Sequence, residues 1–243
     1  GHVMVLMGEQ RPAIDLLKQA IARFPDDKKL RQELAAAFSA IGDYEKANAY
    51  FRWVVDRTEA LSDPLQESRL LIQAARNSQR LGAQQDYEAY SSRALQILTE
   101  QLNMNLNRIT LWQPFLDAAA GSAVLSAETK DVVTALFKRW RQRAYDEAFL
   151  ERLADVLVKT GDVRRAIILL EHQETQSPKT ALRLAILLKE VGEYETAESR
   201  FRELLARKVF AAAEPDQADL LLAAADNAFR MGDRELSRTR YQD

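Results

Sequence analysis

Few side chains in this sequence have the chemistry of a nucleophile, an acid–base pair or a metal ligand. The chain contains no cysteine and only two histidines, His2 and His172. A zinc site or a Ser-His-Asp arrangement needs partner residues at matching spacing, and none accompanies His172, which we expect at the polar end of a helix. The sequence therefore predicts a protein that is not an enzyme and that uses no cofactor and no metal.

The balance of charge narrows the class of partner. Lys and Arg total 34 against 36 Asp and Glu, a net charge of −2, so the basic excess of a dedicated nucleic-acid binder is missing. The most basic segment, Lys138–Arg143, is interpreted as the solvated end of a helix, where the dipole favours cations. A contact with a partner and a contact with nucleic acid are the alternatives. No apolar run approaches the ~20 residues that span a bilayer, and no membrane contact is expected.

The glycines indicate how the chain is organised. After Gly1 they fall at intervals of 31 to 40 residues, at positions Gly8, Gly42, Gly82, Gly121, Gly161, Gly192 and Gly232. A glycine that recurs at such similar intervals indicates a repeat architecture, in which each copy is one supersecondary unit.

The same residue pattern surrounds most of these glycines. Gly42 is followed by Ala47 and Phe51, and Gly192 is followed by Ala197 and Phe201 at the same spacing. Upstream of each glycine, apolar residues recur three and four positions apart, as expected for an amphipathic helix. Glycine can end a helix in the left-handed conformation, so each copy is predicted to be a helix, a tight turn and a second helix, with the alanine where two helices cross closely.

This pattern resembles the tetratricopeptide repeat, whose copies carry a Gly-Asp-Tyr-like turn, then Ala, an aromatic residue and a closing Pro. The resemblance implies an all-α superhelical solenoid of antiparallel helix pairs with about thirteen helices. We expect one solenoid over residues 1–243, cut from a longer protein. Its copies would span roughly 1–27, 28–63, 64–103, 104–145, 146–177, 178–212 and 213–243.

The copy at 104–145 fits the pattern least well. Pro114 falls inside its expected first helix, and residues 122–126 form an additional loop. Large aromatic residues are expected between helices, as for Trp53 and Trp140. In the irregular copy, Trp112 and Phe115 are candidates for a ligand contact instead.

The resemblance also implies a binding surface, because the first helix of each repeat lines the concave side of such a solenoid. Carried onto this sequence, the groove positions form a basic portion and a more acidic and apolar portion. The basic portion contains Lys29, Gln32, Arg69, Arg76 and Arg80, and the other contains Glu151, Asp155, Asp219, Asp226 and Phe229. A surface with opposite charge at its two ends would orient a partner.

The expected function is a non-enzymatic scaffold for protein–protein interaction. Repeats near 40 residues long, and an arginine-rich composition typical of GC-rich bacteria, resemble the periplasmic repeat regions of Pel-type exopolysaccharide export proteins. This resemblance implies a periplasmic location and a polysaccharide deacetylase or hydrolase as the recruited partner. Two alternatives stay open: a general scaffold for envelope or secretion assembly, and direct binding of the exported polysaccharide by acidic groove residues.

Overall fold

The structure, a computed structural model, describes residues 10–57, 63–140, 145–172, 177–207 and 215–242. These residues form thirteen α-helices and one short 3-10 helix and contain no β-strand, which confirms the predicted all-α class. The helices are α1 Gln10–Arg23, α2 Lys28–Ala40, α3 Tyr44–Asp56, α4 Pro64–Leu81, α5 Gln84–Met104, α6 Trp112–Gly121, α7 Ala127–Arg139, α8 Glu147–Lys159, α9 Val163–Glu171, α10 Pro178–Glu190, α11 Tyr194–Arg207, α12 Pro215–Arg230 and α13 Arg234–Gln242.

Glycines in the left-handed conformation end five of these helices. Their φ angles lie between 76° and 86°, at Gly42, Gly82, Gly161, Gly192 and Gly232. A residue with a Cβ is disfavoured in this conformation. The left-handed turn therefore explains why glycine recurs at these positions. The predicted order of helix, tight turn and helix is confirmed at all five positions. Gly8 lies outside the described residues.

Side-chain caps and prolines fix where the first helix of several repeats begins. Asp27, Asp63 and Asp146 each accept a hydrogen bond from a backbone N–H two or three residues later, at the start of α2, α4 and α8. Pro64 and Pro178 are the first residues of α4 and α10. Proline suits this position because the first N–H groups of a helix have no partner within it.

The chain divides into two compact units, Gly1–Leu136 and Phe137–Asp243, called here the N-terminal and the C-terminal unit. In each unit most consecutive helices pack against one another, as α4 does against α5 and α12 against α13, and first helices of neighbouring repeats also touch, as α2 touches α4 and α10 touches α12. That the units form one solenoid stays a prediction, and so do the boundaries of the copies.

The small residue of each regular repeat lies where two helices cross. Ala47, Ala166 and Ala197 have no exposed surface, and the aromatic residues four positions later, Phe51 and Phe201, are also buried. Close crossing of two helices leaves no room for a larger side chain. The prediction that the alanine of each regular repeat lies at a close helix crossing is therefore confirmed.

The irregular fourth copy is built differently. Its first helix, α6, has only ten residues and follows a 3-10 turn over Ile109–Leu111. Pro114 is the third residue of α6, within the first turn, where its missing N–H breaks no helical hydrogen bond. Ser122 then leaves the helix in an extended conformation and begins the predicted loop.

Gly121 corrects the interpretation that every glycine marks a turn. It is the last residue of α6 and does not adopt the left-handed conformation. A Cβ on Gly121 would lie 2.7 Å from Cζ of Tyr87 and closer still to Oγ of Ser91. Tyr87 occupies the position where other repeats have the small alanine. The large residue on α5 is thus accommodated by the smallest residue on α6.

Buried polar residues link the first helix of one repeat to the second helix of the preceding repeat. Asn77 of α4 donates to the carbonyl oxygen of Tyr44 over 3.0 Å, and Asn227 of α12 donates to that of Tyr194 over 3.1 Å. Both asparagines are almost fully buried. Equivalent residues therefore make equivalent hydrogen bonds in the two units.

Candidate partner-binding surface

The residues predicted to bind a partner all lie on first helices, as the resemblance implies. We use the term first-helix faces for the exposed surfaces formed by the first helices of the repeats. These helices are α2, α4 and α6 in the N-terminal unit and α8, α10 and α12 in the C-terminal unit. The ten predicted residues are distributed as Lys29 and Gln32 on α2, Arg69, Arg76 and Arg80 on α4, Glu151 and Asp155 on α8, and Asp219, Asp226 and Phe229 on α12.

In the N-terminal unit, polar pairs connect neighbouring first helices. The Gln32 amide donates to Oε1 of Gln73 over 3.0 Å, which joins α2 to α4. Arg76 donates to Oδ2 of Asp117 over 2.7 Å, which joins α4 to α6. These pairs span 41 residues of sequence each. They connect neighbouring first helices across the exposed surface.

The remaining basic residues of this unit differ in their surroundings. The Arg80 guanidinium lies 5.7 Å from the centroid of the Tyr44 ring, which is a cation–π contact. Lys29 and Arg69 are exposed and form no ion pair with the described residues. Lys29, Arg69 and Arg80 therefore carry positive charge without a compensating carboxylate among the described residues, whereas Arg76 is paired with Asp117.

In the C-terminal unit, an ion pair joins α8 to α10. Arg183 lies 2.5 Å from Asp155, and Arg152 lies 3.8 Å from it. Burial raises the pKa of Asp155, against the opposing effect of the Arg183 and Arg152 charges. Asp155, predicted as an acidic contact for a partner, is thus already paired within the protein.

The start of α10 is tied to α8 by hydrogen bonds to two glutamates. The Ser177 backbone N–H donates to Glu147 over 2.8 Å, and the Thr180 hydroxyl donates to Glu147 over 2.8 Å and also to Glu151. The Ser177 N–H, followed by the Thr180 hydroxyl, lowers the pKa of Glu147. Glu151 therefore contributes to the connection between repeats.

Two ion pairs join α10 to α12. Lys179 lies 3.0 Å from Asp216, and Lys189 lies 2.8 Å from Asp226. Asp226 also accepts a hydrogen bond from Arg230 over 3.1 Å. The hydrogen bond from Lys189, with that from Arg230, lowers the pKa of Asp226. Asp226 is thus compensated by two cations.

A stripe on α12 remains available beside these pairs. Asp219 is exposed and forms no ion pair with the residues that the structure describes. Leu222 and Phe229 are 56% and 59% exposed, and they follow Asp219 at helical spacing on the same face. The combination is one carboxylate and two large apolar side chains.

A cavity of 540 Å³ lies between α10 and α12 next to this stripe. Leu182, Ile186 and Leu222 give it an apolar lining, and charged side chains surround them. It brings together residues that the resemblance places in the grooves of two successive copies. A second cavity, of 420 Å³, lies in the N-terminal unit between α5 and residues 122–129. The hydroxyls there bond to one another, as Thr99 does to Thr129 over 3.1 Å.

The sequence pattern does not indicate which residues pair with the predicted ones. Several predicted residues contact a residue outside the predicted set, and these partners include Gln73, Asp117, Arg183 and Lys189. The one available signal was opposite charge about thirty to forty residues apart. The predicted contrast between a basic and an acidic portion is reduced to Lys29, Arg69 and Arg80 in one unit and Asp219 in the other, which form no ion pair with the described residues. Their part in binding stays a prediction.

The aromatic candidates for a ligand contact lie in the core. Phe115 is fully buried, and Trp112 is 4% exposed with its indole N–H donating to the carbonyl oxygen of Leu106 over 2.8 Å. The suggestion that they could contact a ligand is therefore wrong. Trp53 is half-buried between two guanidinium groups, with Arg31 3.8 Å and Arg57 4.4 Å from its ring centroid.

The basic segment and His172 occupy helix ends. Lys138 and Arg139 lie in the last turn of α7, as predicted, while Arg141 and Arg143 lie outside the described residues. His172 is exposed directly after α9 and contacts the edge of buried Trp140, with ring centroids 5.2 Å apart. Both interpretations as helix termini are confirmed for the described residues.

Two further observations concern the described part of the chain alone. It contains no group of three or more His, Asp or Glu side chains placed to hold a metal ion. None of its helices combines the length and the apolar character needed to cross a membrane.

Comparison with known proteins identifies solved structures with a similar fold. No protein-family model and no curated protein matches the sequence. Among solved structures, a tetratricopeptide repeat protein from Parabacteroides merdae is 12% identical, with 99% of this chain and 88% of that chain covered and a TM-score of 0.57. The C-terminal part of a TPR repeat-containing protein from Cytophaga hutchinsonii is also 12% identical, covers 99% and 91%, and has a TM-score of 0.59.

A third similar structure is the quorum sensor NprR from B. thuringiensis in its apo form. It is 13% identical, with 100% of this chain and 76% of that chain covered and a TM-score of 0.56. Identities this low carry information on fold alone. The paired helices, the left-handed glycine turns and these neighbours agree, and the chain therefore has the tetratricopeptide-repeat fold.

Proposed function

We propose that this chain is a non-catalytic scaffold that binds a protein partner along its first-helix faces. The observation that supports this most is the set of polar pairs between successive first helices. Several charged groups on these faces compensate one another within the protein, as Arg76 and Asp117 do. Lys29, Arg69 and Arg80 in one unit and Asp219 in the other are exposed and form no ion pair with the described residues, and these are available to a partner.

Two physical effects favour such a surface for binding. Side chains already held in pairs lose little conformational freedom when a partner arrives, and this lowers the entropic cost of association. Uncompensated charges steer the partner during encounter and select its orientation. Both effects act without a catalytic group.

As a finer proposal, the partner is a polysaccharide deacetylase or hydrolase in the periplasm, recruited to an exopolysaccharide export complex. Support for it comes from the resemblance of the near-40-residue repeats to Pel-type export proteins. A general scaffold for envelope assembly and direct binding of the polysaccharide are the competing functions. The polymer alternative relied on four acidic residues, and three of these, Glu151, Asp155 and Asp226, have partners within the chain.

The test is affinity capture from envelope extract of the source cells on the immobilised chain, followed by mass spectrometry. The variant Lys29→Glu with Arg69→Glu reverses two positive charges on the first helices of the N-terminal unit that form no ion pair with the described residues. The matched control is Arg11→Glu with Lys130→Glu, two exposed cations on α1 and α7. Equal charge change on the two proteins separates a specific surface from net charge.

We expect one protein to be retained by the unaltered chain and by the control, and to be lost with the Lys29 and Arg69 variant. Identification of a polysaccharide-modifying enzyme would support the finer proposal, and an envelope assembly protein would support the general one. Retention of polysaccharide without protein, or equal retention by both variants, would contradict binding through this face.

A further inference from the structure

The solvent-open cavity between α10 and α12 combines an apolar patch with charged side chains, most of which form ion pairs. Its apolar lining is formed by Leu182 and Ile186 from α10 and by Leu222 from α12. Leu222 is 56% exposed, so more than half of its surface faces solvent. A volume of 540 Å³ accommodates a large apolar side chain together with adjoining main chain.

The charges around the cavity can be assigned one by one. Lys179 pairs with Asp216, Arg183 with Asp155, and Lys189 with Asp226. Among the charged residues that line the cavity, this leaves Asp219 without an ion pair in the part of the chain that the structure describes. The three cations are engaged, so an acidic ligand would have to displace an existing carboxylate.

Asp219 lies three residues before Leu222 on α12, which puts the carboxylate and the apolar side chain on one face. A ligand that inserts an apolar side chain next to Leu222 therefore brings its neighbouring residues close to Asp219. A lysine or arginine there would pair with Asp219. Electrostatic complementarity of this kind decides which partner fits more than it decides the affinity.

We propose that this cavity is the anchor site for a partner segment in which a large apolar residue, Leu, Ile or Phe, stands close to a lysine or arginine. The apolar side chain fills the space beside Leu182, Ile186 and Leu222, and the cation pairs with Asp219. The occupant is a segment of a separate protein. This inference rests on the proposed scaffold function and adds the chemistry of the ligand.

The first experiment selects peptides from a random twelve-residue phage library on the full chain. The expected result is an enriched pattern of one large apolar residue and one basic residue at fixed spacing. An enriched pattern that is acidic or that lacks an apolar residue would overturn the proposal, and so would the absence of any enrichment.

The second experiment measures binding of the enriched peptide by fluorescence anisotropy. Asp219→Lys replaces an attraction by a repulsion at a solvent-exposed site, and we expect binding to weaken about tenfold. Glu171→Lys is the matched control, because Glu171 is exposed at the end of α9 and away from the cavity; it should bind like the unaltered chain. A peptide with glutamate in place of its basic residue should prefer the Asp219→Lys protein.

These measurements separate two kinds of failure. If Asp219→Lys leaves peptide binding unchanged while the capture experiment still yields a protein partner, the anchor site is wrong and the scaffold function stands. If sedimentation shows that the chain self-associates and that Asp219→Lys alone abolishes this, the occupant is a second copy, and the proposal of a separate partner is overturned.

Discussion

The repeats at Gly42 and Gly192 have nearly the same sequence and backbone, yet they bury different polar groups. Both glycines are left-handed, both alanines at the helix crossing are fully buried, and an asparagine from the next first helix bonds to the carbonyl of the tyrosine in each. The residue directly after the alanine differs. It is Asn48 in the N-terminal unit and Glu198 in the C-terminal unit.

Asn48 is a neutral buried side chain with one neutral partner and one charged partner. It accepts a hydrogen bond from Ser78 over 3.0 Å and donates to Asp86 of α5 over 3.0 Å, while Arg52 also donates to Asp86. Burial raises the pKa of Asp86, but the hydrogen bonds from Asn48 and Arg52 outweigh it and lower the pKa overall.

Glu198 is instead 3% exposed and forms a two-pronged ion pair with Arg240 of α13, over 2.8 and 2.5 Å. Burial raises the pKa of Glu198, but Arg240, Asn227 and Arg202 together lower it below its usual value. In both units the partner comes from the following second helix, and the sign of its charge is reversed. In these two repeats the buried polar group at this position is satisfied by partners of opposite charge, whereas the repeat at Gly161 has the apolar Ile167 there.

The largest difference between the units should appear when one partner is removed. Arg240→Met removes the buried cation of Glu198 and leaves the exposed Arg202 as a remaining partner, and the free energy of unfolding should fall by about 3 kcal/mol. Asp86→Asn removes a more exposed charge and should cost less, about 1 kcal/mol. Urea unfolding followed by circular dichroism measures both.

Two controls sharpen this result. Arg238 is exposed on the same helix, and Arg238→Met should leave the unfolding midpoint nearly unchanged. In the double variant Glu198→Leu with Arg240→Met, no charge stays buried, so much of the lost stability should return. A loss of equal size in the Arg240 and Arg238 variants would contradict the buried ion pair.

Overpacking should affect the two units equally, because the crossing geometry is shared. Ala47→Leu and Ala197→Leu each insert a larger side chain at a fully buried crossing, and each should cost about 1 to 3 kcal/mol. Ala49→Leu, at an exposed position on α3, provides the control in the same unfolding assay. An unchanged midpoint for either buried variant would show that the two repeats do not share this crossing.

The smallest expected effect is on the acid side of the stability profile. A carboxylate whose pKa is lowered in the folded state contributes stability above its unfolded pKa, about 4.3 for Glu and 3.9 for Asp. That contribution is lost as the pH falls through the lowered folded value. Unfolding measured from pH 7 to pH 3 should therefore show a flatter acid dependence for Glu198→Gln and for Asp86→Asn. Identical profiles for the variants and the unaltered chain would contradict the two lowered pKa values.

Much of the fold could be predicted because it depends on local requirements. A left-handed turn needs glycine whatever lies around it, so Gly42 and Gly192 could be interpreted without knowledge of their neighbours. The spacing to Ala47 and Phe51 likewise follows from the helical period. Pro114 is compatible with α6 because this helix is short and begins at Trp112, so that the proline lies in its first turn. The sequence pattern does not predict where α6 begins.

The candidate surface was predicted only in part, because its charges depend on helix register. Arg76 meets Asp117, and Asp155 meets Arg183, across helices roughly thirty to forty residues apart. Which charged residues of two helices come into contact depends on how those helices pack. For the same reason, composition alone would place Arg240 in solvent, whereas the structure buries it.

The packing of Gly121 against Tyr87 has a consequence for how this sequence can change over time. Neither residue can be substituted alone at no cost, since a Cβ at Gly121 meets the ring and loss of the ring leaves a void beside Gly121. The two positions are therefore expected to be epistatic, with effects that do not add. Restoring the repeat consensus at Tyr87 would be unfavourable by itself, and lineages of this protein would have to exchange both residues together.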